Sequence, residues 1–324
     1  MKILNRVIDS LDLRLGGRGV PSFWLHEQAV LWRAFKDKYS YGSALFNVEL
    51  PTGESFTLRP FGHIPYEFVL DNPEVAQIYL YNPDKWFNES CLNTGIAYVN
   101  FRSSFLQCAG LQAAEKFMEN LEYSLAGSLK ARYLKISVVD LAADINHSFK
   151  FTDIPSFISR SHFRDAKAFD SDVEILRSLP LSDNRGIPTG DEKHEVTTEQ
   201  LEAIQRVLSR FDEMGEPSAF NFRTDELQTV YFGLKTSPCF ARLYNKSTEI
   251  KVSEKSYMEQ IWSQTGWDGE QDVWRLEFSL KGKFLKSCSR LVTNFDGDIN
   301  SQTDFRDFSE FKQVITQIWA YLTE

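Results

Sequence analysis

The chain is poor in the residues that most often build a metal centre or a covalent framework. Its 324 residues include four cysteines, Cys91, Cys108, Cys239 and Cys288, with no CxxC spacing, so neither a disulfide scaffold nor a zinc site is expected. Reduced thiols suit a cytoplasmic interior. The five histidines, His26, His63, His147, His162 and His194, never form a His-x-His pair. A metal site would therefore lean on carboxylates, and oxygen ligands suit Mg²⁺ or Mn²⁺ better than zinc. No GxxxxGK[ST] loop, GxGxxG turn or GxSxG elbow occurs, which removes P-loop, dinucleotide-binding and hydrolase-elbow chemistry from consideration. No apolar run reaches the length of a membrane span, and MKILNRVIDSLDL carries charges where a signal peptide needs an apolar core. A soluble cytoplasmic protein with no membrane contact is expected. Positive charge is also short: the formal net charge is −9. That argues against a basic coat for nucleic acid, although a local basic patch beside an acidic site is compatible with a nuclease.

Apolar residues, in contrast, are plentiful. Hydrophobic content is 42% and aromatic content 14%, with 26 phenylalanines, enough for one large or two moderate domains. Residues 7–15 alternate as a strand. A helix is expected around 25–38, with Leu25, Val30, Leu31 and Phe35 as its stripe. SALFNVEL, PTG and ESFTLRPF read as strand, turn and strand, and AQIYLYN and GIAYVNF as two more strands. Leu111, Ala114, Met118, Leu121 and Leu125 share one helical face. Strands and helices without a βαβ rhythm favour an α+β fold with an antiparallel sheet.

The second half opens with YLKISVVDLAADI, residues 133–145, where Asp140 and Asp144 share one strand face. Four residues apart, they stand roughly 13–14 Å apart on a regular strand. They hold one ion together only across a bulge, a strand end or a bridging water; otherwise they are simply solvated. Residues 150–195 read as an insertion. Its basic part, with Arg160, His162, Arg164 and Lys167, fits a short helix, and its Pro- and Gly-containing part a loop. A capped helix is expected from Thr197, with Leu201, Ile204, Leu208 and Phe211 buried. SAFNF then leads into a hairpin turning near Thr236 and Ser237. On its second strand Phe240, Arg242, Tyr244 and Lys246 share one face, and Cys239, Ala241 and Leu243 the other. In the strand 273–281, Arg275 and Glu277 alternate with Trp274, Leu276 and Phe278. Lys281, Lys283, Lys286 and Arg290 follow with no acidic residue among them, either a solvated helix face or a patch that tracks phosphate. A last helix spans 305–322. SLDL at 10–13 resembles VVDL at 138–141, a hint of two halves built on one pattern.

These strands could act on a phosphodiester. A divalent ion held by the carboxylates would polarise a phosphate oxygen. A tyrosine hydroxyl, which ordinarily titrates at about pH 10, needs cations such as Arg242 and Lys246 close by to attack. The same pattern also describes an ordinary amphipathic strand.

SVVDLAAD, TVYFGLKTSPCFARLYNK and VWRLEFSLKG, in this order, resemble the replication initiation factor family, the trans-acting initiators of rolling-circle plasmid replication, with related relaxases. The resemblance covers about 65 residues. It implies an antiparallel sheet with helices on one face and the active site on the other. It implies Tyr244 as nucleophile, with Arg242, Lys246 and Arg275 in support, and Asp140, Asp144 and Glu277 as ligands of Mg²⁺ or Mn²⁺. Arg275, Lys235, Lys281, Lys283, Lys286 and Arg290 become the expected DNA contacts. Residues 1–130 would form an N-terminal α+β half and residues 131–324 the nicking half. Val138 stands where the family has arginine, Lys235 replaces another arginine, and Pro238 replaces an aspartate. The implied partners are a replication origin offered as single strand or hairpin, a host helicase and polymerase, and a second copy of the chain. A relaxase of a mobile element, a non-catalytic DNA-binding regulator of replication and a purely structural protein with wet charged strands are the alternatives.

Overall fold

A computed structural model of the chain describes residues 2–39, 45–86, 94–149, 164–168, 227–253, 255–288 and 304–323. In chain order the strands are β1 (Lys2–Pro21), β2 (Phe46–Glu49), β3 (Ser55–Leu58), β4 (Phe68–Asn72), β5 (Ala76–Leu80), β6 (Ala97–Phe101), β7 (Ala126–Asn146), β8 (Arg164–Ala168), β9 (Leu227–Phe232), β10 (Cys239–Asn245) and β11 (Val273–Lys281). The helices are α1 (Phe23–Tyr39), α2 (Ser103–Leu125), α3 (Lys246–Ser253), α4 (Tyr257–Gln264) and α5 (Phe308–Thr323). The fold is α+β with an antiparallel sheet, as expected.

The described residues divide into two compact units. The larger comprises residues 2–145, 234–241 and 275–323. Its strands lie in the order β2-β3-β4-β5-β6-β1-β7-β11-β10. Because side chains alternate along a strand, each strand sends one set of residues to a common core. Leu11, Leu13 and Leu15 of β1, Ile78 and Leu80 of β5, and Val99 and Phe101 of β6 are buried there. Three helices cover this face: Leu25, Ala29, Trp32 and Phe35 from α1, Phe117, Met118 and Leu121 from α2, and Phe308, Phe311 and Ile318 from α5. Trp32 meets Phe68 edge to face at 5.2 Å, and Phe117 meets Phe101 at 5.5 Å. Each fully buried side chain of this size contributes about 1.5–3 kcal/mol.

The helix ends have local causes. Ser22 Oγ accepts the Leu25 amide and donates to the Ser124 carbonyl, tying the start of α1 to the end of α2. Asp307 accepts the Ser309 amide at the start of α5. The expected stripe of α1 is corrected. Ala29 and Trp32 face the core, while Val30 and Leu31 are exposed, because the 3.6-residue period from Leu25 runs through 29, 32 and 35. Strand β4 is not among the expected segments, and β1 and β7 run well beyond theirs.

The smaller unit comprises residues 146–233 and 242–274, as far as these are described, with strand order β11-β10-β9-β8. Helices α3 and α4 bury Ile250, Met258 and Trp262, the last edge to face with Trp267 at 5.4 Å. Strand β8 pairs antiparallel with β9, Asp165 opposite Tyr231. Residues 164–168, expected within a basic helix, are thus a strand, their backbone groups satisfied by β9. The rest of the expected insertion, the helix from Thr197, SAFNF and Arg290 lie outside the described residues.

The strand order bears on the hint of duplication. Each half begins with a long strand, β1 or β7. Its neighbour is the half's last strand, β6 or β11, and next comes the strand preceding that one, β5 or β10. Three triplets align on this pattern without gaps: Leu11-Asp12-Leu13 with Val139-Asp140-Leu141, Leu80-Tyr81-Asn82 with Leu243-Tyr244-Asn245, and Val99-Asn100-Phe101 with Leu276-Glu277-Phe278. The two asparagines even act alike. Asn82 accepts the amide of Asp84 at the start of a 3-10 turn, and Asn245 that of Thr248 at the start of α3.

Candidate functional site

Two groups of polar side chains occupy the positions singled out in the sequence, and neither is wet. The first is centred on Tyr244, near the end of β10 and only 9% exposed. The Arg242 guanidinium lies 4.9 Å from the Tyr244 ring centroid and the Lys246 ammonium 5.5 Å from it. Lys246 also donates a long hydrogen bond, 3.5 Å, to the Tyr244 hydroxyl. Cations over an aromatic face are held by the ring quadrupole, and here one residue on each side along the chain supplies one.

The junction after Tyr244 explains how Lys246 reaches back. The Asn245 amide donates to Asp272 at 2.7 Å while its carbonyl caps α3. Lys246 is thereby fixed as the first residue of a helix, where a cation opposes the helix dipole. Glu249, one turn on, is ion-paired with Lys246 and, at 3.1 Å, with Lys255. Burial pushes the Glu249 carboxyl up, but the hydrogen bonds and charges of the two lysines outweigh it and leave it below its ordinary value. Lys246 itself is 3% exposed.

The second group lies in the larger unit and is centred on Arg275. This arginine is wholly buried, and its Nε and Nη2 donate to the two oxygens of Asp144 at 2.6 and 2.9 Å. Asp144 is equally buried. The third guanidinium nitrogen, Nη1, pairs with Asp9 of β1. Asp9 in turn accepts Ser103 Oγ at 2.7 Å and Gln107 Nε2 at 2.9 Å, both on α2. A buried fork-to-fork pair of this kind fixes geometry as well as charge. Glu277, two residues along β11, is 2% exposed, and Asp140 is half-buried.

Among the described residues no three His, Cys, Asp or Glu side chains gather closely enough to hold a metal ion. The expected ligand set of Asp140, Asp144 and Glu277 is therefore not assembled as a cage. The bidentate guanidinium occupies both Asp144 oxygens that a divalent ion would use. Asp9 and Glu249, the partners that hold Arg275 and Lys246, are absent from the sequence-based site. Glu249 was legible as an i+3 partner on a helix; Asp9, 266 residues from Arg275, left no such signal.

Of the expected DNA contacts, Lys235 and Lys281 come together. The Lys281 ammonium donates to the Lys235 carbonyl at 3.0 Å, and the Lys281 amide to Pro238 at 2.9 Å. Lys283 and Lys286 are exposed on the helical segment 282–288, whose Leu285 and Cys288 are buried. Burial, joined in Cys239 by the neighbouring Cys288, pushes both of these thiols up to about 11. Neither is a thiolate at neutral pH, and neither is a nucleophile.

No known family profile matches the chain, and no curated protein matches it. Among solved structures it is similar to the rolling circle replication initiator protein from Geobacillus stearothermophilus, with 13% identity, 90% of this chain and 78% of that chain covered, and a TM-score of 0.35. A likeness of that degree leaves the functional argument to the chain's own residues.

Proposed function

We propose that this chain nicks and rejoins one DNA strand at a defined site, with Tyr244 as the nucleophile, and so initiates rolling-circle replication of a plasmid or phage-like element. The observation that carries the reading is the pair of cations, Arg242 and Lys246, held against the Tyr244 ring. A tyrosine of strand packing alone does not require a buried lysine at its hydroxyl. The motif blocks around Asp140, Tyr244 and Arg275 support the same reading.

In the forward step the Tyr244 oxygen, losing its proton, forms a bond to the scissile phosphorus. The P–O3′ bond breaks, and the leaving 3′ oxygen takes up a proton. The products are a 5′-phosphotyrosine and a free 3′-OH for a polymerase. Attack by a 3′-OH reverses the reaction and closes the strand, so no nucleotide cofactor is consumed. Arg242 and Lys246 favour the phenolate and hold the phosphate. A requirement for Mg²⁺ or Mn²⁺ remains part of the proposal, but no step is routed through the ion, because Asp144 is engaged by Arg275. An origin hairpin or single strand, a host helicase and polymerase, and a second copy of the chain are the partners this role needs.

The pairing of Asp144 with Arg275 favours one second reading, a DNA-binding regulator of replication that keeps the fold without cutting. Incubation with supercoiled plasmid bearing the origin separates the two. The nickase relaxes the plasmid and forms a covalent adduct with it. Tyr244→Phe lowers the rate by at least about 1000-fold, the scale seen when a nucleophile is removed, and abolishes the adduct. Nicking by Tyr244→Phe sinks the assignment, and binding without any nicking by the wild type selects the regulator. Nicking that survives chelation removes the metal from the scheme.

A further inference from the structure

The open face of the larger unit carries a second constellation, in the first half of the chain. Strand register places Tyr79 opposite Tyr98, and Tyr98 opposite Arg14, in one row across β5, β6 and β1. The next row on the same face is Gln77, Asn100 and Asp12. Together with Tyr66, His63 and Thr94 the first row lines a cavity of about 570 Å³, a size suited to a small ligand.

The rings form a connected set. Tyr79 is 5.7 Å from Tyr98 and 5.9 Å from Tyr66, Tyr66 is 6.1 Å from Tyr98, and His63 is 5.4 Å from Tyr79. Their polar ends are tied down. Tyr98 donates to the Asp12 carboxylate, Asn100 donates to it at 2.5 Å, Tyr79 donates to Gln77 at 2.6 Å, and Tyr66 to the Thr94 carbonyl at 3.2 Å. Nearby, Asp71 pairs with both Arg59 and Arg102.

Aligned on the repeat, this cavity is the counterpart of the Arg275 group, with its chemistry exchanged. Asp12 stands for Asp140, Asn100 for Glu277, Tyr98 for Arg275 and Tyr79 for Arg242. The place of Asp144 falls to Gly16, where a Cβ would lie 2.0 Å from the Tyr133 ring. No second carboxylate fits there. Burial, with the Asp12 charge and hydrogen bond, pushes the Tyr98 hydroxyl far up, so it is no nucleophile. What remains is a rigid aromatic surface with one guanidinium at its edge and amides behind it. Such a surface stacks a planar heterocycle and pairs with its phosphate.

We propose that this cavity binds an unpaired nucleobase of single-stranded DNA, with Arg14 at the adjoining phosphate. The inference rests on the reading of the chain as a DNA-processing protein. It adds that one half of the repeat cuts while the other grips an unpaired nucleotide of the substrate.

The test uses the full chain and a fluorescein-labelled strand of eight thymidines, read by anisotropy, with an eight-base-pair duplex as control. Tyr79→Ala is expected to weaken binding of the single strand by roughly five- to 150-fold, the loss that accompanies one stacked base, while Tyr79→Phe stays within about twofold. Arg14→Gln weakens it as well and flattens its salt dependence. Replacing one thymine by 5-iodouracil and irradiating is expected to crosslink peptides carrying His63, Tyr66, Tyr79 or Tyr98. Should Tyr79→Ala fail to fold, the exposed His63→Ala and Arg14→Gln decide. The proposal is overturned if the wild type does not bind the strand, if these variants bind it like the wild type, or if crosslinks map only elsewhere. Plasmid nicking, measured in parallel, keeps the two readings apart. Nicking without this binding leaves the proposed activity standing and removes the pocket, and the converse leaves the pocket and removes the activity.

Discussion

Replacing Arg275 by methionine gives the sharpest test of the buried charge group. The substitution keeps the volume of the stem and removes a guanidinium that is wholly buried and bonded to both oxygens of Asp144 and to Asp9. Removing one partner of a buried pair costs about 3–5 kcal/mol, chiefly because a charge is left without its counterion. Asp9 contributes little to that cost, since it is 16% exposed and keeps Ser103 and Gln107 as donors. Most of the loss falls on Asp144, which is wholly buried and gives up both bonds of the fork. At about 2 °C per kcal/mol for a chain of this size, the unfolding midpoint of Arg275→Met drops by roughly 6–10 °C. Adding Asp144→Leu recovers most of the drop, because the double variant no longer buries the Asp144 carboxylate opposite a missing guanidinium and the two sites are strongly coupled. Calorimetry at low and high salt measures both, and salt should matter little to a pair out of reach of solvent ions. A further arm adds Mn²⁺ or Mg²⁺ to each protein. A cation that takes the place of the guanidinium raises the midpoint of Arg275→Met but not that of the wild type. An unshifted midpoint in Arg275→Met, or a double variant that loses the sum of the singles, refutes the reasoning.

Two more outcomes follow from charges near the candidate site. If Lys283 and Lys286 track phosphate, each substitution by alanine lowers the slope of log Kd against log salt for single-stranded DNA by about 0.7; an unchanged slope says that they touch no phosphate. Glu249 titrates below its ordinary value of 4.5 in the folded protein, so the unfolded chain takes up its proton first. The stability it lends is present at neutral pH and is lost as pH falls through the folded-state value. In Lys246→Met the carboxyl keeps Lys255 but loses the stronger of its two lowering partners, so it moves up, and the difference in urea midpoint between pH 7 and pH 3 shrinks. An identical difference in the two proteins contradicts the ion pair.

The apolar alternation of β7 and β11 is legible because period-two patterns survive whenever one face meets a core. Strand β11 is legible to its ends, Val273 to Lys281. The same alternation misleads about the polar faces. Arg275, Glu277 and Asp144 look in the sequence like a solvated or metal-binding surface, and they are buried, since alternation says which residues share a face and not what lies over it. Val30 and Leu31 show a related limit: apolar identity does not entail burial, and the helical period sends them outward. The bond from Arg275 to Asp9 joins residues 266 apart and obeys no local period. Strand β8 is hidden for the opposite reason, as a short segment whose partner, not its own residues, makes it a strand.

The two halves of the repeat show why chemistry would be confined to one of them. Both keep an aspartate in their first strand, Asp12 and Asp140, and both carry Leu-Tyr-Asn at the C-terminal end of the corresponding later strand, where it closes β10 and runs two residues past β5. They differ at several matched positions, among them the one held by Asp144 and by Gly16. In the second half Asp144 is present and engages Arg275; in the first, Gly16 leaves room for the Tyr133 ring, so a side chain there would collide with it. With that carboxylate absent, an arginine at the place of Tyr98 would have Asp12 alone to pair with, and Asp12 already accepts Asn100. An aromatic residue whose hydroxyl reaches Asp12 is the stable alternative. Gly16→Asp alone cannot restore the first half, because the new side chain would collide with the Tyr133 ring.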